Sequence, residues 1–288
     1  MNFKIVDKPR SLFRPDPVLG WRLSPNHGVQ VKHRPEVVQR IAPDGWRHIP
    51  RAVEPTGPRV AFYGCSFTYG TGLRDDETYT ALLQHSRPEL HILNRGVGGF
   101  GTVQNLLQFR RDIAAGAVDA AVFAIISDHR FRNIAHPQRM RQYLSREWYT
   151  LGVEHVPVAR LNSTGEAQMV YVPIWQPVIR QANFDAFLPD DYMINAATLA
   201  VLGRVASEAH GAGVPVRFAL LDALDASFTS AVCARFPDTL DVSTPYDQEH
   251  TFLPDDIHPN AKANALFAGR LMPLVDELCK PILDGQSA

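Results

Sequence analysis

From residue 58 onward, near-continuous apolar runs alternate with stretches in which apolar and polar positions recur at a helical period. "RVAFYG" (59–64), "LHILNR" (90–95), "DAAVFAIIS" (119–127) and "VPVRFALL" (214–221) have strand length, and "LDVS" (240–243) is a short fifth run. Strands buried on both faces read this way, whereas strands with one wet face alternate. The stretches between them predict helices near 78–86, at about 102–114, over roughly 191–210, after the fourth run, and from "HPNAKANALFAGRLMPLV" onward. Within 191–210, Ile194, Ala197, Val201, Val205 and Ala209 fall on one face. Apolar strands alternating with helices predict a parallel sheet covered on both sides. Right-handed crossovers make it a doubly wound, three-layer α/β/α sandwich. Ligands bind such sheets beyond the carboxyl ends of the strands, where the strand order reverses.

Two regions break the alternation. Residues 1–57 are rich in proline and arginine and lack a clear period. "GWRLSP" (20–25) and "GWRHIP" (45–50) read as short extended pieces around turns, so an N-terminal arm is expected ahead of one domain spanning 58–284. Residues 130–190 are too long for a plain connection. There "EHVPVARL" and "AQMVYVPIW" flank "NSTGE", which predicts a β-hairpin inserted after the third strand, placed to form a lid or a wall of a site. Trp21 and Trp46 are read as pinning the arm to the sandwich rather than stacking on a sugar.

Composition narrows the field. With 288 residues, 45% hydrophobic and 20% charged, the chain has the make-up of a soluble globular protein. A net charge of −1 supplies no general field for nucleic acid. Arginines gather in "RFRNIAHPQRMRQYLSR" (130–146), read as a solvated face rather than an anion site. Cys65, Cys233 and Cys279 are too few and too far apart for a disulfide framework or a metal ladder. The longest uninterrupted apolar stretch, "AAVFAII" (120–126), is too short to span a bilayer. The opening "MNFKIVDKPRSLFRPDP" lacks the apolar core of a signal peptide, so a cytoplasmic location without membrane or nucleic-acid partners is the expectation.

The candidate chemistry starts at "YGCSFTYG" (63–70), where the first strand ends on Ser66. A serine nucleophile needs a base within hydrogen-bond reach, a group that orients the base, and donors for the oxyanion. His258 in "DDIHPN" (255–260) is the candidate base. Asp255, three residues before it, is favoured as the orienting acid across a tight turn. Asp256 competes for that role but is read as pointing away or capping the last helix, with Pro259 at its start. Cys65 is read as a small buried residue directed away from Ser66. Gly96, Gly98, Gly99 and Gly101 lack the Lys-Ser/Thr of a phosphate loop, and suit close approach of backbone to an oxyanion. Asp128 and His129 form a lone adjacent pair, a weak metal signal, and no metal or organic cofactor is implied.

"GCSFTYG", "NRGVGGFGT" and "DDIHPN", in this order and spacing, resemble the SGNH (GDSL-like) hydrolase superfamily over about residues 58–280. The family comprises esterases, lipases, carbohydrate deacetylases and some acyltransferases on a flavodoxin-like sandwich. The resemblance therefore implies a flavodoxin-like α/β/α fold with a mainly parallel five-stranded sheet. It implies that Ser66 is the nucleophile, with Cys65 where the family usually has Asp, and that His258 and Asp255 match its D-x-x-H. The amides of Ser66 and Gly99 would serve the oxyanion hole. The third block departs from the pattern: in "AIISDHR", Ser127 stands where an Asn is expected, so Ser127 or another donor would complete the hole. "DPVLGWRLSPN" is similar to the arm that precedes the sandwich in one branch of the superfamily. The implied activity is hydrolysis of small acyl esters through an acyl-enzyme, the substrate being a small-molecule or carbohydrate ester such as an acetylated sugar. Interception of the acyl-enzyme by a sugar or alcohol would make the chain an acyltransferase. The altered third block also leaves open a non-catalytic ligand-binding relative.

Overall fold

The five apolar runs form one parallel sheet in the computed structural model, which describes residues 4–6, 12–143, 146–174 and 190–285. The arm contributes β1 (Lys4–Val6), β2 (Phe13–Asp16), β3 (Gly20–Leu23), β4 (His27–Val31) and β5 (Arg34–Ile41). The sandwich begins with β6 (Arg59–Gly64), α1 (Ser66–Tyr69), α2 (Tyr79–Ser86), β7 (His91–Gly96), α3 (Thr102–Ala114) and β8 (Ala120–Ile125). Three short helices follow, α4 (His129–Asn133), α5 (Pro137–Met140) and α6 (Arg146–Leu151), and then the hairpin β9 (His155–Leu161) and β10 (Ala167–Pro173). The chain continues with α7 (Asp191–Gly211), β11 (Val216–Leu220), α8 (Ala226–Arg235) and β12 (Leu240–Asp241). It ends with β13 (Thr251–Phe252), β14 (Asp256–Pro259) and α9 (Ala261–Leu283).

The central sheet has the order β12–β11–β8–β6–β7, all parallel. Numbered along the chain, this is the flavodoxin order, and the strand order reverses at β6, between β7 and β8. Alternate side chains supply the two faces. Ala61, Tyr63, Phe123 and Phe218 pack with Phe109 of α3, Val201 of α7 and Phe228 of α8. Val60, Phe62, Ile92 and Val122 pack with Leu83 of α2 and Phe267 and Leu271 of α9. Helix starts are fixed by side-chain caps: Thr78 accepts from Ala81 N, Asp190 from Met193 N, Asp225 from Phe228 N, and Asn260 from Lys262 N and Ala263 N. Asn260 thus starts α9 one residue after Pro259, which closes β14 instead of opening the helix. No described helix is long and apolar enough to cross a membrane.

The arm is more structured than extended pieces around turns. β2 and β3 form an antiparallel hairpin, and β4 lies between β1 and β5. Leu19, Trp21, Leu23 and Ile41 are fully buried in the same core as α3 and α7. Trp21 Nε1 donates to Gly98 O at 3.0 Å, and its ring meets Phe100 and Trp148 edge-on at 5.7 and 4.9 Å. Trp46 lies under the Arg95 guanidinium, 4.5 Å from the ring centre. Arg47 is buried against Asp75, and its Nη2 donates to Leu73 O at 2.9 Å.

The hairpin forms in the expected place, with Ala167 opposite Leu161 and Pro173 opposite His155. Asn162 Oδ1 closes its turn by accepting from Thr164 N at 3.0 Å and Glu166 N at 2.8 Å. Val156, Val158, Ala159 and Ala167 join the core of α3 and α7.

Gly96, where β7 meets α1, leaves no room for a side chain. A Cβ there would lie on the backbone of Thr68 and Tyr69. Gly96→Ala is therefore expected to destabilise the fold by about 3 kcal/mol, read as a lower urea midpoint with an unchanged slope.

Candidate active site

Ser66 follows β6 directly and opens the one-turn helix α1. That turn is braced from beneath. Asn94 Nδ2 donates to Thr68 O at 2.7 Å and to Thr80 Oγ1 at 2.9 Å, and Asn94 Oδ1 accepts from Gly96 N at 2.9 Å. Tyr79 Oη donates to Thr68 Oγ1 at 3.0 Å. Ser66 is thus presented on a rigid corner at the sheet's switch point. Its Oγ is 3.9 Å from Cys65 Sγ, and Cys65 itself is buried in the α2–α9 core.

Ser66 lines a cavity of about 580 Å³ together with Phe67, Gly98, Gly99, Asp222, Tyr246 and His258. Phe13, Asp128, Arg132, Arg139, Tyr143 and Trp148 also line it. Gly99 adopts φ +82°, and a Cβ on it would come within 3.1 Å of Trp21 Cζ2. Only glycine fits such a position without strain. Among the described hydrogen bonds, neither the Ser66 nor the Gly99 amide donates to a protein acceptor. Two backbone donors therefore border the cavity beside a hydroxyl, an arrangement that can receive an oxyanion.

His258 and Asp256 lie on β14, and the carboxylate that meets His258 Nδ1 is that of Asp256. Asp256 Oδ1 also accepts from His258 N at 2.8 Å. This corrects the choice of Asp255. The segment is a strand rather than a tight turn, so residues two apart share a side. Asp255 lies in the preceding turn, donates from its amide to Phe252 O at 3.0 Å, and leaves its side chain exposed. Burial pushes the Asp256 carboxyl up, but the bonds and charge from His258 outweigh it and hold it below the usual range. Phe67 meets the imidazole edge-on at 5.8 Å. The described hydrogen bonds include none between Ser66 and His258, a contact that in serine enzymes often tightens only in the Michaelis complex.

Ser127 is not brought to the cavity lining. Its amide donates to both Asp222 oxygens at 3.1 Å, and its hydroxyl donates to Asp222 Oδ1 at 2.5 Å. Asp222 follows the end of β11, next to β8 in the sheet, and so captures both donors of Ser127. Burial raises the Asp222 carboxyl despite these bonds. The proposed oxyanion role of Ser127 is therefore replaced by a structural one. Ser127→Ala is expected to cost about 1–3 kcal/mol of stability by leaving Asp222 short of a donor. Thermal and urea melts measure it.

Three of the arginines of 130–146, Arg130, Arg132 and Arg139, are not on a solvated face, whereas Arg141 is exposed. Arg130 is buried, donates to Ser127 O and Asn195 Oδ1 at 3.0 Å, and pairs with Asp225 at 2.7 Å. Arg132 and Arg139 both pair with Asp128. This short-helix part of the insertion lines the cavity, whereas β9 and β10 contribute no residue to it. The hairpin expected as a lid or wall instead backs the helices, and residues 175–189 of the insertion lie outside the described residues.

Trp21 is sealed in the core and Trp46 lies away from this cavity. Among the described residues, the Phe, Tyr and Trp rings that border it are Phe13, Phe67, Tyr143, Trp148 and Tyr246. His129 is fully buried, and Asp128 is occupied by arginines, so the two do not form a metal pair. Asp247, Glu249 and His250 do bring ligand atoms within 4.8 Å of one another, but Glu249 is paired with Lys262.

No family model matches the chain, and no curated protein matches it. Solved structures do resemble it. One is a protein from Desulfitobacterium hafniense DCB-2 described as lipolytic and of the G-D-S-L family, at 9% identity and TM-score 0.45 over 76% of this chain and 99% of that one. Another is an alpha/beta hydrolase from the metagenome of Lake Arreo, Spain, at 14% identity and TM-score 0.45 over 78% and 98%. A third is a mutant acetyl-xylooligosaccharide esterase from Geobacillus Stearmophilus, at 13% identity and TM-score 0.43 over 76% and 94%.

Proposed function

We propose that this chain is a serine esterase of the SGNH type that hydrolyses small acyl esters through an acyl-enzyme on Ser66. The observation that carries the reading is the Asp256–His258 pair on β14, bordering the same cavity as Ser66 and the unpaired amides of Ser66 and Gly99. In this reading Ser66 Oγ attacks the ester carbonyl as His258 Nε2 takes its proton. The negative charge that develops on the carbonyl oxygen is held by the two amides. Asp256 keeps the imidazole in the tautomer that accepts at Nε2, and stabilises the imidazolium. His258 then protonates the leaving alkoxide, and a water activated by the same imidazole releases the acid. The aromatic walls suit an apolar or sugar-ring alcohol, and an acetylated carbohydrate is the substrate class the sequence resemblance implies. The chemistry needs no metal or organic cofactor.

The test is a fluorophosphonate probe, located by peptide mass spectrometry, beside a panel of p-nitrophenyl esters from acetate to octanoate. Labelling at Ser66 with turnover of the short esters is expected. Absence of both would favour a non-catalytic ligand-binding protein.

A further inference from the structure

Two arginines in the lining of the Ser66 cavity share one carboxylate. Arg132 reaches Asp128 Oδ2 with Nε at 2.9 Å and with Nη2 at 2.6 Å, while its Nη1 donates to Phe100 O at 2.8 Å. Arg139 pairs with the same Asp128 and donates to Gln142. Their side chains are only 8% and 16% exposed, whereas that of Asp128 is 37% exposed. Neither guanidinium can disperse its charge in bulk water, and one carboxylate cannot neutralise two cations. Burial also works against the charge of Arg139. Elsewhere in the lining, Asp222 accepts from Ser127 and from the Leu224 amide, and with Asp225 it shares the single cation of Arg130. The cation excess is local to the side built from residues 128–142. That side adjoins the glycine loop, because Arg132 holds the carbonyl of Phe100, the residue after Gly99. Guanidinium forks match the planar geometry of a carboxylate, and their weak hydration lets them bind it in a half-enclosed cavity.

We propose that Arg132 and Arg139 form an anion subsite, and that the esters turned over here carry a carboxylate on either the acyl or the alcohol side of the scissile bond. The proposal rests on the esterase reading. It assigns the cavity a charge preference that the Ser66–His258 chemistry by itself does not require.

Two matched pairs of esters test it. 4-Acetoxybenzoate against its methyl ester places the charge on the alcohol side. Phenyl hydrogen succinate against phenyl methyl succinate places it on the acyl side. Each rate is normalised to hydroxide hydrolysis of the same ester. The wild-type chain is expected to favour the charged member of at least one pair by about tenfold or more in kcat/KM, as a charge-assisted hydrogen bond gives. The pair that shows the preference identifies the side that carries the carboxylate. Arg132→Gln and Arg139→Gln are each expected to cut that ratio about tenfold, and Arg139→Lys to keep part of it. Ratios taken on one preparation do not change with its folded fraction. Turnover of the neutral esters with no preference in either pair overturns the subsite alone. So does an equal loss on charged and neutral esters in the variants, which would make the arginines general supports of the oxyanion loop. Turnover of no ester overturns the esterase reading and the subsite with it.

Discussion

Ser66→Ala is expected to lower kcat on a short p-nitrophenyl ester by several orders of magnitude, approaching roughly a millionfold, with the thermal midpoint nearly unchanged. The asymmetry follows from the surroundings of the hydroxyl. Ser66 Oγ makes only a 3.9 Å contact to Cys65 Sγ, so its removal strands no buried partner. The corner that presents it is held by Asn94, Thr68 and Tyr79, which the substitution leaves in place. A nucleophile and base act as a unit, so under the proposed mechanism Ser66→Ala combined with His258→Ala should be little worse than either alone. Residual turnover of a few per cent in purified Ser66→Ala would exclude Ser66 as nucleophile and move attention to Cys65 or a bound water.

Asp256→Asn is expected to cost roughly a hundredfold or more in kcat/KM, while Asp255→Asn stays within about threefold. Asparagine has nearly the shape of aspartate but no charge, and it can present an N–H to the imidazole, favouring the tautomer that cannot accept from Ser66. The Asp256 carboxyl is held below its usual range, so the wild-type carboxylate is ionised at neutral pH. Its depressed value also fixes the sign of the linkage: the Asp256–His258 contact supports stability above the ordinary carboxylate pKa. That support is lost as pH falls through the lowered one. A damaging Asp255→Asn with a silent Asp256→Asn would place the working carboxylate in the turn after all.

The sheet was legible because its strands are buried on both faces, and continuous apolar runs such as "AAVFAI" carry that burial directly. The placing of Ser66 at the end of the first strand was legible for a related reason, since the apolar run stops at Gly64, whereas Gly99 was picked out by the resemblance of "NRGVGGFGT". The choice between Asp255 and Asp256 turned on whether "DIHP" is a turn or a strand. Four residues are too few for periodicity to decide, although alternation across the β-branched Ile257 was the available signal. Ser127 was misplaced because its fate depends on Asp222, 95 residues away, which no local pattern reveals. Arg130, Arg132 and Arg139 were misread because, although Asp128 lies only four residues before Arg132, only the fold shows that these three side chains turn inward and that Arg130 meets Asp225.

Trp21 sets a problem of timing. Its indole bonds to Gly98, 77 residues further along the chain, and packs against Trp148, further still. At roughly 5–20 residues per second, the arm leaves the ribosome several seconds before its partners exist. Over that interval Leu19, Trp21 and Leu23 form an apolar strip with nothing to cover it. The same strip on one nascent chain is complementary to the waiting glycine loop of another, since the arm is joined to the sandwich only through residues 42–58. An exchange of arms between neighbours on a polysome would build correctly packed glycine loops in the wrong partnership, so crowded synthesis should yield intertwined dimers that dilution does not readily separate.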